Sequence, residues 1–554
     1  MAPRMIPLEI SRRSLFAAPV LAAAAPAGDY ALVQQHDQSV ENYLRAQVSD
    51  RSSRWFGRLP DATGLHHAGT AAGALLAYLA AFHHPLSRFH QAAHLRGRIQ
   101  LSADALAAAQ TPDGNFDLLI TNFNSPPDTG FIVHLAASAA CLARNAGDRE
   151  AFGWLEPMLR HAGDGMRKGG VHTPNHRWVV CAALAQLHEL FPEGGYVPRI
   201  DQWLAESIDL DADGQFSERS TLVYNPVVCS ALVVMAHKLN RPALLDPVRR
   251  NLESLLYLLE PGAEAITDIS RRQDQYQRDK PQRSWFALRY LANRDGNGQF
   301  AALADLLTPN LPAIMEYPEL AQPGPPRQPL PEDYEKLFPS GEFAHIRRGT
   351  MSAHILLKGH SRFLGMRRGG AAIPAVRAAA AFFGKGQFRP AAGRRQADGA
   401  YVLEQTLDAG YYQPLDPPRA VAASVEAWRS SWPERKRTEV CKFACRATIR
   451  ETPRGIRLRF EASGTRDVPV TLEISFKAGG KFAGVSPAPD VEDAYVLPGG
   501  FGSYTLGEDT IRFGPGLAEH RYTQVRGAEP RAGGPSVYLC GYAPFDHTVD
   551  FDLR

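Results

Sequence analysis

The chain has 554 residues, of which 44% are hydrophobic and 21% charged. This length exceeds one ordinary domain and supplies apolar material for large cores, so two or three domains are expected. The formal net charge of +3 falls to +1 without residues 1–27, which carry Arg4, Arg12 and Arg13 against Glu9. A near-neutral chain lacks the basic excess of proteins that bind nucleic acids or membrane surfaces. We therefore expect neither as a partner of the mature protein, and any anionic ligand must be bound by a local cluster of residues.

Residues 1–27 have the pattern of a twin-arginine export signal. Arg12 and Arg13 precede an apolar stretch, followed by small residues suited to cleavage near Ala25 or Ala27. The stretch is far shorter than the ~20 residues that a membrane span needs. This predicts a periplasmic or secreted protein. A helical or disordered tail with two chance arginines is the alternative.

Residues 28–308 carry apolar positions at helical spacing, as in 71–81, 131–142, 179–190 and 227–239. Short loops rich in Gly, Pro and Asp separate these segments, and no strand-like alternation lies between them. The pattern predicts a stack of antiparallel helical hairpins.

This region also contains a faint internal repeat. The sequence TPDGNF at 111–116 is similar to DADGQF at 211–216. In both copies the tenth residue after the glycine, Asn124 or Tyr224, stands just before an apolar helix. A repeated loop-and-helix unit is typical of an (α/α) toroid, whose equivalent loops open onto one cleft. Chance similarity of two Asp-Gly turns is the alternative.

The pattern changes after the helical region. Residues 309–339 contain nine prolines, which predicts a stiff, extended linker. In residues 340–554 the apolar period becomes two, as at 343–346, 456–460 and 470–476. Short alternating segments between turns predict a C-terminal antiparallel β-sandwich.

Two segments about fifty residues apart carry the side chains best suited to chemistry. They are Asn175, His176, Arg177 and Trp178, followed by Arg219, Tyr224 and Asn225. Removing a proton beside a sugar carboxylate needs a base and donors already in place for the developing charge. A phenol ordinarily ionises near pH ~10, so a cation such as Arg219 would have to favour the phenolate. The indole of Trp178 offers an apolar face to a sugar ring.

The layout and these motifs resemble the heparinase II/III-like and alginate-lyase-like polysaccharide lyases. In these families an Asn-His pair opens one inner helix, an Arg and a Tyr open a later one, and a segment like 338–344 enters the sandwich. The resemblance implies that Tyr224, His176, Arg219 and Asn175 are catalytic and that Asn124, Arg177, Trp178, Asn225 and His360 bind substrate. Within this set, Asn124 or Asn175 would neutralise the substrate carboxylate. A third catalytic histidine of these families has three candidates here, His345, His354 and His360.

The function predicted from these observations is that of a secreted polysaccharide lyase, which cleaves an acidic, uronate-containing polysaccharide by β-elimination without a required cofactor. One alternative is a glycoside hydrolase on a similar toroid, with paired carboxylates among Asp128, Asp213, Glu218 and Asp268. Another is a non-catalytic periplasmic carbohydrate-binding protein. Each polar residue also has an ordinary structural role open to it, as a helix cap, a packed aromatic or a surface ion pair.

A metal site has weaker support in the sequence. Asp209, Asp211 and Asp213 precede Gly214 like the start of a calcium loop, but Ser220 occupies the twelfth position, where a glutamate is expected. The absence of a CxxC pair argues against a thiolate zinc site. We expect an Asp-Gly turn and no metal at the site, with a structural Ca²⁺ or Zn²⁺ ion as the alternative.

Overall fold

The computed structural model describes residues 27–489 and 491–553, so the predicted export signal lies outside the described residues apart from Ala27. The N-terminal part is helical. Its helices are α1 (Ala27–Ala46), α2 (Ala68–His83), α3 (Ala93–Ala109), α4 (Pro126–Asn145), α5 (Arg149–Lys168), α6 (Pro174–Leu190), α7 (Val197–Leu204), α8 (Tyr224–Lys238), α9 (Asp246–Leu256), α10 (Trp285–Asp295), α11 (Gly298–Asp305) and α12 (Leu311–Glu316).

Helices α2, α4, α6 and α8 pack side by side as an inner ring, and each is followed by an outer helix that returns along it. Helix α10 continues the ring beside α8, and α12 packs against α2 and α4 to close it. The inner helices are apolar on nearly all faces, because a helix enclosed on every side has no solvent face. Among the described residues, no helix combines the length and apolarity of a membrane span. The predicted (α/α) toroid is confirmed.

The internal repeat is a structural one. In the 111–115 loop the Thr111 N–H donates to the Asn115 carbonyl at 2.8 Å, and in the 211–215 loop Asp211 donates to Gln215 at 2.9 Å. The same turn recurs at 61–65 and 260–264. A Cβ at Gly114 would lie 2.1 Å from the His161 carbonyl oxygen of α5, so this loop is pressed against the outer helix.

Two features of the N-terminal half differ from the sequence prediction. A short hairpin of β1 (Phe116–Leu118) and β2 (Asn122–Ser125) interrupts the helices, so the expectation of no strands there was wrong. The buried Phe116 side chain anchors the hairpin in the toroid core.

The second difference concerns residues 309–339, which are only partly an extended linker. Helix α12 begins after Asn310, whose side chain accepts from the Ala313 N–H at 2.9 Å, and a 3₁₀ turn follows at Pro318–Ala321. Pro312 and Pro318 stand in the first turn of these helical segments, where proline is well tolerated. A high proline content therefore did not exclude helix here.

The C-terminal part consists of two packed sheets and one short helix, α13 (Val425–Ser430). Its strands are β3 (Asp333–Phe338), β4 (Phe343–Arg348), β5 (Met351–Leu356), β6 (Leu364–Arg368), β7 (Ala371–Ala380), β8 (Gly386–Gln387), β9 (Ala392–Arg395), β10 (Tyr401–Tyr412), β11 (Arg437–Thr452), β12 (Gly455–Gly464), β13 (Pro469–Ser475), β14 (Lys481–Ala483), β15 (Ser486–Pro487), β16 (Ala494–Val496), β17 (Gly502–Leu506), β18 (Asp509–Gly514), β19 (Ser536–Tyr542) and β20 (Phe545–Asp552).

One sheet has the order β14-β17-β18-β20-β12-β11-β10-β9. The other runs β15-β16-β19-β13-β7-β6-β5-β4-β3, with β8 beside β7. Neighbouring strands are antiparallel except β16 and β19, which are parallel. Alternate side chains of both sheets fill a common apolar core, as expected for a sandwich. The predicted β-sandwich is confirmed.

The two domains share a buried, charged interface. Asp268, from the loop after α9, is 1% exposed and lies between Arg278 at 2.5 Å and His354 of β5 at 3.2 Å. Burial alone would raise the pKa of the Asp268 carboxyl, yet the charges of Arg278 and His354 hold that pKa below its usual range. Apolar contacts surround the cluster, including Leu258 of the toroid and Phe343 of β4. Balanced charges and apolar burial together fix the sandwich on the toroid.

Two left-handed glycines, one in the repeat loop and one outside it, should lose different amounts of folding stability when replaced by alanine. Gly114 (φ +86°) and Gly147 (φ +73°) are both left-handed, but a Cβ at Gly147 has no atom within 4 Å. Gly147→Ala should cost about 1 kcal/mol for the backbone conformation alone. Gly114→Ala should cost at least about 2 kcal/mol more, because α5 must shift. Urea unfolding followed by circular dichroism measures both, and equal losses would show that the loop is not pressed on α5.

Candidate active site

The site is built at the starts of α6 and α8, on the rim of the toroid that faces the sandwich. Asn175 is 1% exposed, and its Nδ2 donates to Glu218 Oε2 at 2.7 Å and to Thr173 Oγ1 at 3.2 Å. Burial raises the pKa of the Glu218 carboxyl, although the bond from Asn175 and the charge of Arg272 oppose this. The buried carboxylate thereby orients the amide.

Tyr224 is the first residue of α8, and its phenol points to the loop between α9 and α10. Arg272 donates to the Tyr224 hydroxyl at 3.3 Å and lies over the ring, with its guanidinium carbon 4.6 Å from the ring centre. Gln273 Nε2 donates to the same oxygen at 3.0 Å. Two donors, one of them cationic, therefore meet at the phenol oxygen of Tyr224.

Arg272 joins the two halves of the site. Its other guanidinium nitrogen lies 3.4 Å from Glu218 Oε1, so one side chain contacts the phenol of Tyr224 and the carboxylate that holds Asn175. The structure therefore brings Tyr224 and Asn175 into one polar cluster, which we call the Tyr224–Arg272–Glu218–Asn175 cluster.

His176 follows Asn175 and is 7% exposed, with its ring edge-on to Phe131 and His172. Burial, with smaller contributions from His172 and Arg272, lowers the pKa of His176 to about 4. Its Nδ1 is buried without a hydrogen-bond partner among the described residues. His176 is thus a neutral imidazole at neutral pH.

Arg219 does not have the contacts predicted for it. It has a φ of +51°, and its guanidinium donates to Asp211 at 3.3 Å and to the Ser340 carbonyl of the sandwich domain. The cation on the Tyr224 hydroxyl is Arg272 instead. Arg219 contributes to the domain contact and to the wall of the cleft that Arg272 also lines, and its role as electrostatic support for Tyr224 stays a prediction.

The predicted sugar platform is wrong. Trp178 is 0% exposed, and its indole N–H donates to Asp209 at 3.1 Å. Arg177 pairs with Asp209 and Glu206, both at 3.1 Å. These side chains tie α6 to the 206–209 segment, and the substrate contact expected of Arg177 stays a prediction.

Two further amides are occupied by local bonds. Asn124 donates to Asp113 at 2.7 Å and accepts from Thr111 at 2.8 Å, which keeps it within its own repeat loop. Asn225 is 3% exposed and donates to Gln215 at 2.8 Å. Among the described residues no hydrogen bond joins Asn124 to Asn175 or His176, and Asn225 Oδ1 is buried without a hydrogen-bond partner, so the substrate contacts expected of Asn124 and Asn225 stay predictions.

The histidines of the sandwich divide into buried and cleft-lining residues. His345 and His354 are 0% and 1% exposed and belong to the domain interface. His360 is half-buried and lines a cavity of about 280 Å³ together with Arg219, Arg271, Arg272, Lys358 and Glu342. The predicted position of His360 in a substrate cleft is consistent with this cavity.

The acidic residues considered for other chemistry are engaged separately. Asp211 accepts from the backbone of its own turn at 2.9 Å, and Asp213 accepts from the Gly341 N–H at 2.8 Å, so they form an Asp-Gly turn seated on the sandwich domain. Asp128 accepts from Ser125 at the start of α4 at 2.5 Å. In the described part of the chain, no group of three or more His, Cys, Asp or Glu side chains could hold a metal ion.

Arg272 and Gln273 were missed by the sequence prediction. They lie in the connection between α9 and α10, which spans 257–284 and holds a bridged turn at 259–265 and a 3₁₀ turn at its end. A connection of this length inside a compact domain is usually functional. That length was the available signal, together with the two adjacent arginines in it.

The low pKa of His176 can be measured directly. In a histidine-labelled protein, the Cε1–Hε1 resonance that disappears in His176→Gln should titrate near pH 4. Because an unfolded histidine takes up its proton near pH ~6.5, this burial makes the folded state lose stability as pH falls from that value toward 4. Arg272→Gln should raise the midpoint. A midpoint near ~6.5 in the unmodified protein would contradict the burial of this side chain.

Comparison with solved structures places this architecture among known folds. The chain is similar to the Streptomyces coelicolor A3 chondroitin AC lyase in complex with chondroitin sulphate, with 13% identity and a TM-score of 0.58 over 95% of this chain and 80% of that one. It is also similar to Paenibacillus xanthan lyase, with 11% identity and a TM-score of 0.52 over 87% of this chain and 51% of that one. No protein-family model and no curated protein matches the sequence. The chain therefore has the toroid-and-sandwich fold of these polysaccharide lyases.

Proposed function

We propose that this protein is a polysaccharide lyase that cleaves an acidic, uronate-containing polysaccharide by β-elimination. The observation that carries the proposal is the phenol of Tyr224, held at the rim of the toroid by Arg272 and Gln273 and joined to Asn175 through Glu218. The shared fold with chondroitin AC lyase and xanthan lyase supports it.

In this mechanism Tyr224, as phenolate, removes the proton on the carbon beside the uronate carboxylate. Arg272 stabilises the phenolate before transfer, and cationic donors near the substrate stabilise the charge that develops on the carboxylate. The same Tyr224 hydroxyl then gives a proton to the leaving glycosidic oxygen. His176, neutral at the working pH, supplies a hydrogen-bonding group rather than a charge.

In this mechanism the Asn175 amide helps to neutralise the substrate carboxylate. Its strong bond to Glu218 fixes its orientation, and its 3.2 Å bond to Thr173 is the one that a substrate oxygen would replace. Glu218 thus acts as a positioning residue for Asn175.

The alternative functions have less support. A glycoside hydrolase needs two carboxyl groups facing the scissile bond, whereas Asp213 holds the sandwich domain, Asp268 is buried with Arg278 and Glu218 holds Asn175. A non-catalytic carbohydrate-binding protein would keep Trp178 and the arginines in its cleft, but Trp178 is buried.

Replacing Tyr224 by phenylalanine tests the base. Tyr224→Phe keeps most of the packing and removes one hydroxyl, so the rate should fall at least about a hundredfold with little change in thermal unfolding. The assay is the ultraviolet absorbance of the unsaturated uronate product. Tyr411→Phe, at a 61% exposed position on β10, is the matched control and should keep full activity. Near-native turnover of Tyr224→Phe would remove Tyr224 as base and make His176 the next candidate.

The structure also predicts which arginine supports the phenolate. Arg272→Gln should lower kcat by about a hundredfold, because it removes the cation on the phenol oxygen. Arg219→Gln should change kcat less than about tenfold, since Arg219 contacts Asp211 and Ser340 instead. Steady-state kinetics on one uronate polymer measures both. The reverse ranking would return the supporting role to Arg219.

We also propose that the protein is exported through its N-terminal twin-arginine segment. Changing Arg12 and Arg13 together to lysine should leave the full-length chain in the cytoplasm of a bacterial host with a twin-arginine pathway. Cell fractionation and N-terminal sequencing measure this. Equal export of both proteins would contradict the proposal.

A further inference from the structure

The cavity of about 280 Å³ beside Tyr224 has an unusual charge balance. Four cations line it, Arg219, Arg271, Arg272 and Lys358, and the one carboxylate in its lining is Glu342. We call it the cationic cavity. It begins one side chain away from the reacting group, since Arg272 both lines it and donates to the Tyr224 hydroxyl.

Three of these cations are already paired. Arg219 meets Asp211 at 3.3 Å, Arg272 meets Glu218 at 3.4 Å and Lys358 meets Glu342 at 3.0 Å. Arg271 is exposed and donates to the Ser217 carbonyl at 3.3 Å. Among the described residues, no carboxylate oxygen lies within 4 Å of its guanidinium nitrogens. The cavity therefore keeps an excess positive charge on a chain that is nearly neutral overall.

The two domains build this cavity together. Arg219 and Arg271 come from the toroid, while Lys358 and His360 come from the loop after β5. Burial lowers the pKa of His360, so it adds a hydrogen-bonding group rather than another charge. Guanidinium and ammonium donors around a polar space are the arrangement that binds carboxylate or sulfate oxygens.

We propose that the cationic cavity is a second anion subsite, which binds a charged substituent on a sugar next to the uronate that Tyr224 deprotonates. The proposal rests on the proposed function and narrows its substrate to polymers with anionic groups on neighbouring sugars. The bound group is an oxyanion, either the carboxylate of an adjoining uronate or a sulfate ester on an adjoining amino sugar.

The test is equilibrium binding to the Tyr224→Phe protein, which separates binding from turnover. Three hexasaccharides serve as probes in calorimetry. The first consists of uronates alone and is called the homopolymer probe. The second alternates uronates with sulfated amino sugars, and the third is the desulfated form of the second. Arg271→Gln combined with Lys358→Gln should weaken binding of the homopolymer or the sulfated probe by about tenfold. For the desulfated probe, the affinity of the double variant should stay within about twofold of the affinity without these two changes.

The outcomes distinguish the two oxyanions and the two proposals. A loss confined to the sulfated probe assigns the cavity to a sulfate ester, whereas a loss for the homopolymer assigns it to a carboxylate. Arg149→Gln is a control on the exposed first turn of α5, at the opposite end of the hairpin from the rim, and should change nothing. If the double variant binds all three probes as tightly as the Tyr224→Phe protein does, the subsite is contradicted while the proposed function still stands. Failure of all three to bind would overturn the proposed substrate class and the subsite with it.

Discussion

The site depends on a charged interface that must be buried without leaving any charge unpaired. Asp268, Glu260 and Arg278 of the toroid meet His354 and Arg367 of the sandwich in one cluster, and all of them except Arg278 are almost closed to solvent. Removing one partner from such a cluster is costly, because the others lose both water and counter-charge. The relative position of the domains is therefore held by electrostatics as well as by the apolar contacts around the cluster.

This position determines the cleft. The Asp-Gly turn of the 211–215 repeat loop reaches the sandwich through Asp213 and the Gly341 N–H, and Arg219 reaches the Ser340 carbonyl. The same loop leads into α8, which opens with Tyr224. One segment thus seats the sandwich and carries the phenol, so the cavity wall that Lys358 and His360 contribute stands one side chain, Arg272, away from the Tyr224 hydroxyl.

Sequence periodicity was sufficient for the architecture and insufficient for the directions of side chains. The change from helical to alternating spacing predicted both folds, and Asn175, His176 and Tyr224 stand at the starts of inner helices as the sequence predicted. Trp178 was misplaced because α6 is apolar on nearly all sides, so its pattern does not tell cleft from core. Arg272 was missed because it reaches Tyr224 across 48 residues from a loop with no periodic pattern. Arg219 was near Tyr224 in sequence, but its backbone and partners direct it to the sandwich.

The central claim is that the bond is broken by elimination and not by hydrolysis. The most direct measurement is digestion of a uronate oligosaccharide in ¹⁸O-labelled water, followed by mass spectrometry of both fragments. Elimination predicts that the two fragment masses sum to that of the substrate, with no ¹⁸O incorporated by cleavage and an unsaturated uronate at the new non-reducing end. Fragments that together exceed the substrate by one labelled water, without the unsaturated end, would contradict the account and establish a hydrolase.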